Sequence, residues 1–202
     1  MTYINLGSDL LNYIASSGLK PGDFLPTIHT LADEEHLNIS PSKVREQLEV
    51  ARMLEWVEVR SKTGTRLKDF DFAPVVRLAL LYAMQQDPGY FDWFSALRIQ
   101  IESAFWHEAC NTLDEAALAT MRRCLEDARQ KLDAHPIRIP NLEHRTFHLS
   151  IFSNVENPFV RGMLHAYWDA YDAVEPNRYA DYEYLRKVWD YHQKIYDHIC
   201  AG

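Results

Sequence analysis

The sequence predicts a mostly α-helical protein in two parts: three helices closed by a two-stranded β-ribbon, then an all-α bundle of about six helices. The 202 residues include 11 Tyr, 9 Phe and 5 Trp against only 7 Gly. This balance favours helices packed through aromatic side chains over a turn-rich all-β fold. Alternation of apolar and polar residues is absent after residue 70, so every later element is predicted as a helix.

The first two helices are predicted from their apolar spacing and their capping residues. The first ends at Gly18 and carries apolar residues at helical spacing, namely Leu6, Leu10, Leu11 and Ile14. The second begins after Thr27, whose hydroxyl is suited to an N-cap, and is expected to end near residues 36–38.

The third helix and the ribbon complete the first part. The helix is predicted from its N-cap Ser40 to about Met53. Two strand-like pieces follow at residues 56–59 and 65–67, with a turn at residues 62–64 between them. Three short helices closed by such a ribbon form a winged helix-turn-helix.

The charge distribution allows this predicted domain, residues 1–69, to bind nucleic acid although the chain is acidic. The formal net charge of the whole chain is −8, but residues 41–68 carry seven Lys or Arg against four Glu, which is +3. Only the face near the phosphates of DNA needs to be positive. A locally basic surface on an acidic protein is therefore compatible with DNA binding.

The second predicted domain spans residues 73–202 and is helical throughout. Its helices are predicted at residues 74–84, through residues 94–105, from a capping box at 112–115 to about 132, at 141–153, from Asn157 onward, and from Tyr179 to Cys200. These elements predict an all-α bundle of about six helices.

Several motifs resemble one bacterial family. In the first part they are Pro21-Gly22-Asp23-Phe24-Leu25-Pro26, Leu31-Ala32, Val44-Arg45-Glu46-Gln47-Leu48 and Gly64, which look like the reading head of GntR-family regulators. In the second part they are Arg98 with Glu102, Phe147-His148, Asn157-Pro158 and His192-Gln193-Lys194-Ile195. These resemble the all-helical FCD effector domain of the fatty-acid-regulator-like (FadR-like) subgroup. The resemblance covers nearly the whole chain.

The chain also departs from the family pattern at three places. His29 and Pro41 stand where family members usually carry Arg, so no base preference follows from the resemblance. The resemblance also implies one more helix after Gly202, which this sequence does not contain.

Candidate DNA contacts lie at the start of the third helix, at the start of the second, and on the ribbon. A helix fits the major groove and reads base edges with its N-terminal residues, whereas helix N-termini and ribbon cations meet phosphates. A solvated charged face is the alternative interpretation. The candidates are Thr27, His29, Ser40, Ser42, Lys43, Arg45, Lys62, Gly64 and Arg66.

A candidate metal site is formed by His144, His148 and His192. The first two are four residues apart and share one helical face, and the third lies on the last helix. Neutral imidazoles from two helices suit Zn²⁺ or a similar divalent ion. The alternative is ordinary structural histidines. The resemblance implies a set of one Asp and three His, in which His144 takes the Asp position and the fourth ligand would follow residue 202.

Arg98 and Glu102 form the candidate effector site. At a spacing of four residues they are either a simple intrahelical ion pair or part of a pocket in which Arg98 holds a carboxylate. Arg161 and His165 on a later helix are further pocket candidates. The resemblance implies that the effector is a small organic acid, a sugar acid or an acyl compound.

The predicted function is a metabolite-responsive transcriptional regulator. The expectation is a homodimeric repressor that a small organic acid releases from a palindromic DNA operator. No enzyme is expected, because the sequence lacks a glycine-rich phosphate loop, a His-Glu-x-x-His motif and a nucleophile elbow. Two alternatives stay open: a helical metal-dependent hydrolase that uses the histidines, and a protein-interaction module that binds no DNA.

The predicted location is the cytoplasm, with no membrane contact. The three cysteines are odd in number and have no metal-like spacing, which indicates reduced thiols, and no apolar run approaches the length of a membrane span.

Overall fold

The computed structural model describes residues 4–174 and 181–201 and confirms the mostly helical class. No helix within these ranges is both long and apolar enough to cross a bilayer. The chain divides into two compact units, Met1–Pro74 and Val75–Gly202. The elements are α1 (Asp9–Ser16), α2 (Ile28–Ala32), α3 (Pro41–Met53), β1 (Val57–Arg60), β2 (Gly64–Leu67), α4 (Ala73–Gln86), α5 (Tyr90–Thr112), α6 (Glu115–Leu132), α7 (Asn141–Ile151), α8 (Pro158–Val174) and α9 (Tyr182–Ala201).

The first unit holds α1 to α3 and the antiparallel β1–β2 ribbon around a small apolar core. The core side chains, all less than 10% exposed, are Leu10, Leu11, Leu25, Leu31, Val44, Leu48, Ala51 and Val57. The ribbon pairs Val57 with Leu67 and Arg60 with Gly64. Its outer edge is covered because the amide of Leu25 donates to the carbonyl of Thr65. The segment at residues 22–25 thus pairs with β2 along the edge that β1 leaves free.

The structure corrects two helix boundaries in this unit. The first helix begins at Asp9 rather than at Leu6, because the hydroxyl of Ser8 caps it by accepting from the amide of Leu11. The second helix ends at Ala32 rather than near residues 36–38, because Asp33 adopts an extended backbone with ψ 158°. The predicted N-caps of the second and third helices, Thr27 and Ser40, are confirmed.

The second unit is built from α4 to α9. Its main core joins α5, α6, α7, α8 and α9, and its large buried side chains include Met121, Phe147, Ile151, Phe152, Val155, Leu164, Leu185 and Trp189. The aromatic side chains supply much of this core, as their abundance predicts. The predicted start of the last helix, Tyr179, lies outside the described residues.

The predicted capping box at residues 112–115 is wrong. Asp114 caps α6 by accepting from the amide of Ala117, 2.7 Å away. Thr112 instead ends α5, and its hydroxyl donates back to the carbonyl of Glu108. The predicted helix at residues 141–153 is two residues too long, since α7 ends at Ile151.

The core of the second unit generates a stability prediction on α7. Replacing Ile151, which is 1% exposed, with Ala should lower the free energy of unfolding by about 2–5 kcal/mol, because a cavity remains. Leu142→Ala, at 66% exposure on the same helix, removes a similar side chain and should cost less than about 0.5 kcal/mol. Urea denaturation measures both, and equal losses would contradict the assigned burial.

Candidate functional site

Three histidine side chains converge inside the second unit. His144 and His148 lie one turn apart on α7, and His192 faces them from α9. Their ring centroids are 4.9 to 5.1 Å apart. One nitrogen from each ring can be chosen so that all three lie within 4.8 Å of one another. The helical spacing of four residues thus brings the first two together, as predicted, and the fold adds the third.

Hydrogen bonding fixes the orientation of His192. Its Nδ1 lies 2.7 Å from the carbonyl oxygen of Val188, which can only accept, so Nδ1 carries the proton. The Nε2 of His192 therefore presents a lone pair. It points at the Nε2 of His148, 3.0 Å away.

The histidines are held neutral by their surroundings. Burial lowers the pKa of His144 to about 3, with the nearby His192 and Arg98 adding to the effect. Burial also lowers the pKa of His148 well below its usual range, helped by His144, His192 and Arg98. The pKa of His192 is lowered by burial and partly restored by its bond to Val188. Neutral imidazoles are the form that binds metal ions.

The arrangement fits a divalent metal ion. A Zn–N distance of about 2.0–2.1 Å allows two ligands of one ion to be at most ~4.2 Å apart, so the 3.0 Å pair fits as it stands. The most distant pair, at up to 4.8 Å, needs a side-chain movement on the order of 1 Å. The lone pair on His192 Nε2 and the neutral state of all three rings supply the donors that such an ion requires.

Aromatic rings enclose the histidines, and two polar atoms beside them lack partners. Trp168 packs on His144 and His148 at centroid distances of 4.8 and 5.0 Å. Among the residues that the structure describes, its buried Nε1 has no hydrogen-bond acceptor, and the buried Oδ1 of Asn141 has no donor. Asn141 and His144 line one small cavity of about 30 Å³. This volume is enough for one water molecule or for one small group of a ligand.

The predicted pair of Arg98 and Glu102 lies next to this cluster. Arg98 Nη1 donates to Glu102 Oε1 at 3.1 Å, and both side chains are more than four-fifths buried. The guanidinium lies 4.7 Å above the ring of Tyr167, and its buried Nε has no hydrogen-bond partner within residues 4–174 and 181–201. Burial raises the pKa of Glu102, although Arg98 opposes the shift.

Glu102 also reaches the histidines. Its Oε1, the same atom that accepts from Arg98, lies 3.9 Å from Nδ1 of His148. Local sequence patterns gave no signal for this contact, because the two residues belong to different helices.

Arg161 and His165 are not brought to this place. They line a separate groove of about 400 Å³ whose other residues are Thr146, Leu149, Ser150, Phe152, Ser153 and Leu164. Arg161 is engaged there by the carbonyl oxygens of Val155 and Glu156. The lining includes neither Arg98 nor any of the three histidines.

In the first unit, the candidate DNA contacts fall into two groups. The hydroxyls of Thr27 and Ser40 are occupied as N-caps, each accepting from a backbone amide at 3.2 Å. The other candidates are exposed: His29, Ser42, Lys43, Arg45, Lys62, Gly64 and Arg66.

The turn of the β1–β2 ribbon positions Lys62, and the adjacent Phe24 supports Arg66. Lys62 and Gly64 adopt positive φ angles of 70° and 99°, which shape the tight turn. The guanidinium of Arg66 lies 4.6 Å above the ring of Phe24. Sequence reasoning missed Phe24 as a support for Arg66, because the contact depends on residues 22–25 running beside β2.

Comparison with known proteins supports a family assignment. The FCD domain matches residues 94–202, more than half of the chain. The whole chain is similar to the HTH-type transcriptional regulator LutR of Bacillus subtilis (strain 168), at 23% identity over 197 residues that cover 94% of this chain and 86% of LutR. The resemblance stated from the motifs is thereby confirmed.

Solved structures of similar chains come from two further bacteria. Streptococcus agalactiae GntR has 20% identity and a TM-score of 0.49, with 95% of this chain and 94% of that chain covered. E. coli McbR/YncC has 18% identity and a TM-score of 0.48, with 94% and 81% covered.

The neutral histidines generate a prediction for stability against pH. The unfolded chain protonates histidine near its ordinary pKa of ~6.5, whereas burial in the folded protein lowers the pKa of all three rings, that of His144 to about 3. Below about pH 6.5 the unfolded state therefore binds more protons, and stability falls as pH falls. Each histidine should contribute a slope of up to about 1.4 kcal/mol per pH unit.

Urea denaturation in the presence of a chelator, from about pH 7.5 to about pH 5, measures this slope. His192→Gln should flatten it. His198→Gln, on the exposed part of the same helix, is the matched control and should leave it as in the wild type. A stability that is constant over this range would contradict the burial of neutral imidazoles.

Proposed function

As a member of the FCD-domain family, this chain is a metabolite-responsive transcriptional regulator, and we propose that it is a repressor released from a palindromic operator by a small organic acid. Residues 1–69 act as a winged helix-turn-helix that binds DNA. Residues 73–202 act as the effector-binding and dimerising domain. The single observation that carries the assignment is the FCD-domain match over residues 94–202.

The exposed cations of the first unit support the DNA-binding role. Ser40 caps α3, so that Ser42, Lys43 and Arg45 lie exposed at the start of the helix that would enter the major groove. Lys62 and Arg66 on the ribbon extend the same basic segment. Phosphate attraction supplies affinity, and the helix supplies base contacts.

His144, His148 and His192 are proposed to hold Zn²⁺ or a similar divalent ion. Such an ion acts as a Lewis acid and supplies positive charge for a carboxylate. The three neutral rings and the lone pair on Nε2 of His192, which faces His148, support this assignment. The protein's own contribution is to keep the rings neutral and dry within the aromatic enclosure.

Arg98 is proposed to bind the carboxylate of the effector. Its Nε is buried without a partner, and a buried guanidinium N–H left unpaired is costly until a ligand accepts from it. Glu102 and the ring of Tyr167 hold the guanidinium in place. Arg161 and His165 line another groove and are left out of this pocket.

The working form is proposed to be a cytoplasmic homodimer. Two heads related by a two-fold axis match the symmetry of a palindrome. Large apolar side chains left exposed on α4 and α5 support contact with a second copy: Tyr82, Trp93 and Leu97 are 68%, 80% and 45% exposed. A metal-dependent hydrolase is not favoured, because Glu102, the carboxylate that lies 3.9 Å from His148, is already paired with Arg98.

Selection of random duplex DNA by the purified protein tests the proposal. A single recovered inverted repeat would support a dimeric sequence-specific regulator, and it would also provide an operator for effector screening. Recovery of no preferred sequence, with weak binding that is lost steeply as salt rises, would leave only unspecific phosphate attraction and contradict the proposal.

Arg45 generates a matched prediction on the recognition helix. Arg45→Ala should weaken binding to the selected operator by about 1–3 kcal/mol, because a contact to a base or a phosphate is lost. Arg52→Ala is the control, since Arg52 lies at the other end of α3 and is paired with Glu49. Fluorescence anisotropy measures both affinities. Equal losses from the two variants would show that only general charge matters.

A further inference from the structure

We propose that Glu102 is the outer carboxylate of the histidine site and that it couples this site to Arg98. The inference rests on the proposed metal site. One interpretation of the sequence alone is a simple ion pair between Glu102 and Arg98. The inference adds a positioning role: Glu102 orients His148 for the metal, and by doing so it weakens its own bond to Arg98, which then becomes available to an anion.

One oxygen atom of Glu102 lies close to both Arg98 and His148. Glu102 Oε1 accepts from Arg98 Nη1 at 3.1 Å and lies 3.9 Å from His148 Nδ1. The carboxylate is mostly buried, so water does not readily replace either neighbour. A stronger bond from Glu102 Oε1 to His148 would therefore weaken its bond to Arg98, and the reverse.

The position of the proton on the His148 ring determines whether His148 can donate a hydrogen bond to Glu102 Oε1. His192 Nε2 offers a lone pair, because its Nδ1 proton is given to Val188. With no ion present, the 3.0 Å contact between the two Nε2 atoms requires His148 to donate from Nε2. His148 Nδ1 then carries a lone pair toward Glu102, which explains the long 3.9 Å separation.

If His148 held a metal ion together with His144 and His192, this arrangement would be reversed. His148 would use its Nε2 lone pair as the ligand, and its proton would move to Nδ1, which faces Glu102 Oε1. Histidine ligands usually donate their second N–H to a carboxylate or a carbonyl, which fixes the ring and strengthens the ligand. His192 has such a partner in Val188, and Glu102 is the corresponding partner of His148.

The second consequence concerns Arg98. An oxygen shared with His148 binds Nη1 of Arg98 less strongly, while the stacking on Tyr167 keeps the guanidinium in place. With its Nε already unpartnered, Arg98 becomes a better site for an anion when the metal is bound. Because coupling is reciprocal, an anion at Arg98 also tightens metal binding.

Zinc affinity of the full chain, measured by chelator competition and by the visible spectrum of bound Co²⁺, tests the inference. Glu102→Gln should weaken Zn²⁺ binding about 10- to 100-fold, as loss of an outer partner does. Glu108→Gln, exposed on the same helix, removes the same charge and should leave the affinity unchanged. Arg98→Gln should tighten Zn²⁺ binding, because Glu102 then serves His148 alone.

The outcomes separate the inference from the proposals beneath it. Unchanged affinity in Glu102→Gln, or weaker binding in Arg98→Gln, would overturn the coupling while leaving the metal site in place. A wild-type protein that binds no Zn²⁺ would overturn both, and the DNA selection would still decide the regulator proposal. Circular dichroism checks folding. If Glu102→Gln does not fold, Glu102→Asp, which keeps the charge on a shorter arm, should show an intermediate loss of affinity.

Discussion

The second unit depends on keeping three imidazoles uncharged inside an aromatic enclosure. A buried protonated histidine next to another would be strongly unfavourable, so burial and mutual proximity force His144, His148 and His192 to remain neutral. Neutral rings need their N–H groups satisfied and their lone pairs used. The Nδ1–H of His192 donates to the carbonyl of Val188, and the Nε2 of His192 contacts the Nε2 of His148. Beside the rings, Trp168 Nε1 and Asn141 Oδ1 have no hydrogen-bond partner among the described residues.

Ion pairs on either side of His144 hold α7 in the rotation that this arrangement requires. Glu143 is buried and binds Lys131 of α6, with Nζ 2.6 Å from Oε1. Arg145 binds Asp169 of α8 at 2.6 Å. Since the two neighbours of His144 are tied to α6 and α8, α7 cannot turn without breaking a partly buried ion pair, which is costly. The direction of the histidines is thus set by residues that themselves have no part in binding.

Local signals in the sequence predicted what depends on local geometry. The cap at Ser40, the spacing of His144 and His148, and the pair of Arg98 and Glu102 all follow from helix periodicity and capping chemistry. Where two nearby residues could both cap a helix, the sequence does not show which one does. Thr112 is a suitable N-cap residue, yet Asp114 caps α6 while Thr112 is the last residue of α5. Contacts between distant helices, such as the one from Glu102 to His148, carry no local pattern and required the fold.

The resemblance implies an Asp at the position of His144, and a histidine there changes the electrostatics of the candidate site. An Asp ligand would neutralise one charge of a divalent ion, whereas three imidazoles neutralise none. A divalent ion together with Arg98 and Glu102 would leave a net charge of about +2 in mostly buried surroundings, which is unfavourable without an accompanying anion. A carboxylate supplied by a ligand removes part of that charge and gives Arg98 Nε an acceptor. Under the proposed function, His144 would therefore make the ion and the anionic effector more dependent on each other than an Asp ligand would.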